Sequence, residues 1–93
     1  MTTSGHLYVV ERRDGVVKIG RSIHRFSRFQ QYAGTLDGLL LWSSPRLDGI
    51  HGAETELINR LSENHERLTS ETFVIDFMEA VCAARALVEG RAA

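Results

Sequence analysis

Two short apolar runs on either side of a glycine turn constrain this chain more than any other feature. Leu7 to Val10 and Val16 to Ile19 are rich in β-branched residues, and Arg13-Asp14-Gly15 joins them, which is a hairpin signal. Side chains alternate between faces along a strand, so the loop length decides which residues lie together. A two-residue loop, Asp14-Gly15, pairs Arg13 with Val16 and gathers Leu7, Val9, Glu11, Val16 and Lys18, mixing core with charge. A three-residue loop pairs Arg12 with Val16 and gives Gly15 the left-handed position of a G1 bulge. Leu7, Val9, Val17 and Ile19 then share one face, and Tyr8, Val10, Arg12, Val16, Lys18 and Gly20 share the other. The second register separates apolar from polar residues and is the expected one. It sets Tyr8 opposite Gly20 and diagonal to Lys18, with the glycine leaving open space beside the phenol.

The rest of the chain reads as one small α+β domain. Ninety-three residues supply one core and no more. A helical pattern runs from about Ile23 to Tyr32, with Ser22 as its N-cap. A loop over residues 33–38 precedes a third strand, Leu39 to Trp42, which the single proline, Pro45, helps to close. A second helix follows from about Gly49 to Ser62, capped by Asp48, and Thr72 to Ile75 forms a short extended piece. A last helix starts at Asp76, with Glu79 as its capping-box partner, and stops at Gly90. The expected architecture is a small three-stranded mixed or antiparallel sheet flanked by helices, in the order ββαβα plus a C-terminal helix. Its core covers about residues 6–75 and the C-terminal helix about residues 77–89.

Composition narrows the function classes. The formal net charge is −1, but residues 1–46 carry seven basic and three acidic side chains, whereas residues 47–93 carry four and nine. Indiscriminate polyanion binding is therefore disfavoured, while a local basic face is allowed. The single cysteine, Cys82, excludes an intrachain disulfide framework, and no Cys/His cluster has zinc spacing. No apolar run reaches the roughly 18 residues of a membrane span, and Met1-Thr2-Thr3-Ser4-Gly5 lacks a signal-peptide layout, so a cytoplasmic location is expected. Trp42 and the stripe Phe77, Val81, Ala84 and Val88 suit either the core or a contact surface, and apolar helix stripes usually belong to the core.

One carboxylate is out of place. At about 100° per residue, Ile50, Ala53, Leu57 and Leu61 form an apolar stripe, and Glu54 falls about 40° from Ile50, inside it. A carboxylate facing a core needs a cation, a metal or strong donors. Both a structural ion pair with an arginine and a functional site meet that need. In the preceding helix Phe26, Phe29 and Ala33 face inward, and Arg25, Arg28 and Tyr32 lie on the other side, with Arg21 just before them. Guanidinium groups grouped in this way suit anionic oxygens, although periodicity does not choose between Arg25 and Arg28.

Taken in order, these residues resemble a known family. Leu7-Tyr8-Val9, Val17-Lys18-Ile19-Gly20-Arg21-Ser22 and Arg28-Phe29 resemble the GIY-YIG nuclease superfamily, in its small, phage-associated branch with a KIGRS-type second motif. Glu54-Thr55-Glu56-Leu57, Arg67 and Ser70-Glu71-Thr72-Phe73 follow at compatible spacing, so the resemblance spans about Leu7 to Ile75. It differs in Ile58, where many relatives have histidine, and in Ser70 and Thr72, which replace Gly and Trp of a G-E-W-F motif.

The resemblance implies a metal-dependent DNA endonuclease that hydrolyses phosphodiester bonds. Tyr8 would orient or deprotonate the attacking water, Lys18 would stand where the second-motif tyrosine does, and Arg28 would steady the scissile phosphate. Glu54 would hold one Mg2+ (or Mn2+), an ion that often binds through a single carboxylate, with waters and phosphate oxygens as its other ligands. Arg21, Arg25 and Ser22 would contact nucleic acid. The alternatives are a weak or inactive nucleic-acid-binding module on the same fold and a small phage-type protein-interaction factor. Without an appended DNA-reading module, targeting would fall to a homodimer or a partner protein.

Overall fold

The computed structural model describes residues 3–23 and 40–92. Within them the chain forms β1 (His6–Glu11), β2 (Val17–Ser22), β3 (Leu41–Ser43), α1 (Ile50–Asn64), β4 (Glu66–Arg67), β5 (Thr72–Val74) and α2 (Phe77–Ala92). The class is α+β. The sheet has five strands rather than the expected three, in the order β3-β1-β2-β5-β4, and every pairing is antiparallel. The difference arises beyond residue 65. Glu66–Arg67 and Thr72–Val74 form a second, very short hairpin, too brief to leave a pattern of alternation, and it joins the open edge of β2.

The first hairpin adopts the expected register. Tyr8 pairs with Gly20, Val9 with Ile19 and Val10 with Lys18. The turn is closed by Arg12 N–H to Val16 O at 2.8 Å and Gly15 N–H to Arg12 O at 2.9 Å, with Gly15 at φ 82°. Asp14 supports it by accepting from Val16 N–H at 3.0 Å and from the Arg12 guanidinium at 2.9 Å.

Leu7, Val9, Val17, Ile19 and Phe73 form the sheet's contribution to one hydrophobic core. Ile50, Ala53, Leu57, Leu61, Phe77, Ala80, Val81, Ala84 and Leu87 cover it from α1 and α2. Phe77, Val81 and Ala84 are thus core, and Trp42 and Val88 pack against the core partly buried. Tyr8, Val10, Lys18 and Gly20 occupy the other sheet face by strand alternation.

Two helix boundaries differ from expectation. Ser22 is the last residue of β2 and pairs with His6. The helical pattern from Ile23 to Tyr32 lies outside the described residues except for Ile23, which is exposed. The N-cap of α1 is Gly49, in the left-handed region at φ 65°, rather than Asp48. No side chain caps that end because the Thr3 carbonyl accepts the Ile50 N–H at 3.0 Å, just after the Gly5–Leu47 bridge. Asp76 does cap α2, its carboxylate accepting the Glu79 N–H at 3.2 Å. Gly90 does not stop that helix, which continues to Ala92; among the described residues the positive-φ glycines are Gly15 and Gly49.

Candidate functional site

β2 divides the described candidate residues between its two faces, Tyr8 and Lys18 on one and Arg21 with Glu54 on the other. Tyr8 projects from β1 across Gly20 and is only 1% exposed. A side chain at Gly20 would collide with Cζ and Oη of that phenol, so the space expected beside the ring is filled by the ring itself. The glycine is needed because the phenol occupies the place where a Cβ would sit. Lys18, two residues earlier on the same face, is diagonal to Tyr8.

Arg21 follows Gly20 and points to the helix side of β2. There its guanidinium meets Oε1 of Glu54, the carboxylate that α1 carries inside its apolar stripe. The Glu54 side chain is 9% exposed and that of Arg21 38% exposed, so the acid is the buried partner and the base the one that reaches water. The need of the misplaced carboxylate for a cation is met by the residue next to the phenol's glycine. Phenol and acid therefore approach the end of β2 from its two sides, linked through Gly20-Arg21. Arg25 and Arg28 lie outside the described residues, as does their choice as phosphate ligands.

The second hairpin adds a feature that the sequence motif contained without a role. The β2–β5 pairing sets Lys18 beside Thr72, and the Glu71 carbonyl accepts the Ile19 N–H at 2.8 Å. The Glu71 carboxylate then stands 3.8 Å from the Lys18 ammonium. Arg67 explains the order of that motif. Its Nε and Nη2 donate to the carbonyls of Thr69 and Ser70 at 3.1 and 3.0 Å, holding the turn that presents Glu71. Spacing alone hides this, because the contact exists only once Thr72–Val74 is placed beside β2.

His6 is nearly buried, and its Nδ1 donates to the Ser44 carbonyl at 2.9 Å, while Ser44 Oγ accepts the Leu7 N–H at 2.9 Å. These bonds tie the start of β1 to the residue just beyond β3. Among the described residues no group of three or more His, Cys, Asp or Glu side chains is arranged to hold a metal. No described helix is long and apolar enough to cross a membrane. No family model, curated protein or solved structure matches the chain.

Proposed function

We propose that this chain is a DNA endonuclease of GIY-YIG type that hydrolyses phosphodiester bonds with the help of Mg2+ or Mn2+. The observation that carries this reading is that neighbouring residues of β2 carry, on one face, a phenol packed on Gly20 and, on the other, a guanidinium–carboxylate pair. Tyr8 orients the attacking water through its hydroxyl. Lys18 supplies positive charge on the phenol's side of the strand, where it stabilises a phenolate or takes a phosphate oxygen. Arg21 and Ser22 stand at the strand end for phosphate contact, and Arg28 and Arg25 extend the cationic set along the sequence.

Glu54 fits a divalent ion bound through one carboxylate, since Arg21 is placed against Oε1 and a hydrated ion of this kind needs no all-protein cage. When bound, the ion neutralises charge on the phosphate and stabilises the leaving oxygen. Arg21 orients that carboxylate, and with 38% of its own side chain exposed it can swing to an incoming phosphate.

A second reading, a nucleic-acid-binding module without turnover, is favoured by two observations. Glu54 already has a full cationic partner, and Tyr8 is almost closed to solvent. One experiment separates the two. Supercoiled and branched DNA are incubated with the protein, with and without Mg2+ or Mn2+, alongside Glu54→Ala. The endonuclease reading expects metal-dependent nicking or cutting that Glu54→Ala abolishes while cooperative unfolding is retained. Cleavage by Glu54→Ala at the wild-type rate would remove the assignment of Glu54; binding without cleavage by either protein would leave the second reading.

A further inference from the structure

We infer that Glu71 is the resident counter-ion of Lys18, an acid that a nucleic-acid phosphate must displace, so that the β4–β5 turn sets how strongly this face takes a polyanion. The inference rests on the nucleic-acid reading above and assigns a role to a residue outside its chemistry.

The placement of Glu71 is built, not incidental. Its backbone is fixed to β2 by the 2.8 Å bond from Ile19 N–H, one residue beyond Lys18. Its turn is closed by Leu68 N–H to Thr72 O at 2.8 Å, by the Thr69–Thr72 hydroxyl pair at 2.8 Å and by the two bonds from Arg67. A surface pair such as Glu56–Arg60 has only helix spacing to hold it.

The geometry also makes the pair easy to open. At 3.8 Å, Nζ and Oε2 lie beyond hydrogen-bond length, so they attract as neighbouring charges rather than as donor and acceptor. Lys18 is 27% exposed and Glu71 41% exposed, so a phosphate can approach the ammonium from the solvent side. A phosphate oxygen that reaches hydrogen-bond distance outcompetes a carboxylate held further away. Arg21 carries a protein acid too, Glu54, but there the pair is hydrogen-bonded and the carboxylate buried, so it is the tighter of the two.

Removing the negative charge of Glu71 should therefore tighten nucleic-acid binding, and only through Lys18. The test is fluorescence anisotropy of a labelled duplex oligonucleotide in EDTA at about 50 mM salt, where binding is strongest and cleavage plays no part. Wild type, Glu71→Gln, Lys18→Met and the double variant are compared, with the exposed Glu63→Gln as a control for net charge. Glu71→Gln is expected to bind about two- to five-fold more tightly than wild type, the scale of a partly exposed pair. It should give no gain when Lys18 is already Met. An equal gain in both backgrounds, or one no larger than that of Glu63→Gln, would reduce the effect to overall charge and overturn the inference. So would unchanged or weaker binding by Glu71→Gln when wild type binds. Absence of binding by every variant would remove the nucleic-acid reading itself, and this inference with it.

Discussion

Gly15 and Gly20 lie five residues apart in one hairpin and are glycines for different physical reasons. Gly15 has φ 82°, and among the described residues none but its chain neighbours comes within 4 Å of where its Cβ would sit, so a side chain there meets only backbone cost. Gly20 lies in a regular strand, where a methyl group strikes the Tyr8 ring. Gly15→Ala should cost about 1–2 kcal/mol, whatever residue stands at position 8. Gly20→Ala should cost about 1–3 kcal/mol through overpacking, and most of that should vanish in a Tyr8→Ala background. Urea unfolding of each glycine variant, alone and with Tyr8→Ala, measures both. A similar asymmetry governs the buried pair. Arg21→Met strands a carboxylate that is 9% exposed, whereas Glu54→Gln leaves an arginine that already reaches water. Arg21→Met should therefore destabilise by about 3 kcal/mol and Glu54→Gln by about 1 kcal/mol or less, read from the same urea curves. Equal losses would mean that the acid is far better solvated than its position in α1 implies.

Each element's end is set by whatever supplies its first missing hydrogen bond. At α2 that is the Asp76 carboxylate, so Asp76→Ala should cost about 1 kcal/mol in thermal or urea unfolding. At α1 it is the distant Thr3 carbonyl, so Asp48→Ala should change stability by no more than about 0.5 kcal/mol. That contrast also explains what the sequence disclosed. The cap of α2 is local and legible in Asp76, although the Glu79 carboxylate expected to complete a capping box pairs with His65 instead; the start of α1 depends on a bridge between Gly5 and Leu47, far apart in the chain, and is not legible. The first hairpin is legible down to its register because only one loop length separates Leu7, Val9, Val17 and Ile19 from Lys18. The second is not, since strands of two and three residues carry no period. The same divide runs through the site. Periodicity identifies Glu54 as a carboxylate in need of a cation but does not choose Arg21 among the available arginines. Glu71 becomes visible as a partner of Lys18 only through the pairing of β5 with β2.

Over the whole molecule, the basic first half and the acidic second half do not remain separate blocks of charge. Folding returns Glu54 to Arg21 and Glu71 to Lys18, so acids of the second half neutralise cations of the first at short range. With a net charge of −1 the distant field is weak, and long-range steering of a polyanion contributes little to association. On the proposed function, nucleic-acid binding must then come from contacts made after encounter, each of which releases counter-ions. If Lys18, Arg21, Arg25 and Arg28 each neutralise one phosphate, the logarithm of affinity should fall with that of salt at a slope of about −3.6 for duplex DNA. A fourfold rise in salt would then weaken binding about a hundredfold. Anisotropy titrations across that range measure the slope, and Lys18→Met should bring it to about −2.7, one phosphate fewer. A slope near zero would mean that binding does not proceed by phosphate neutralisation at all. An unchanged slope in Lys18→Met would place the contact surface away from the phenol's face of β2, leaving Glu71 without a phosphate to compete against.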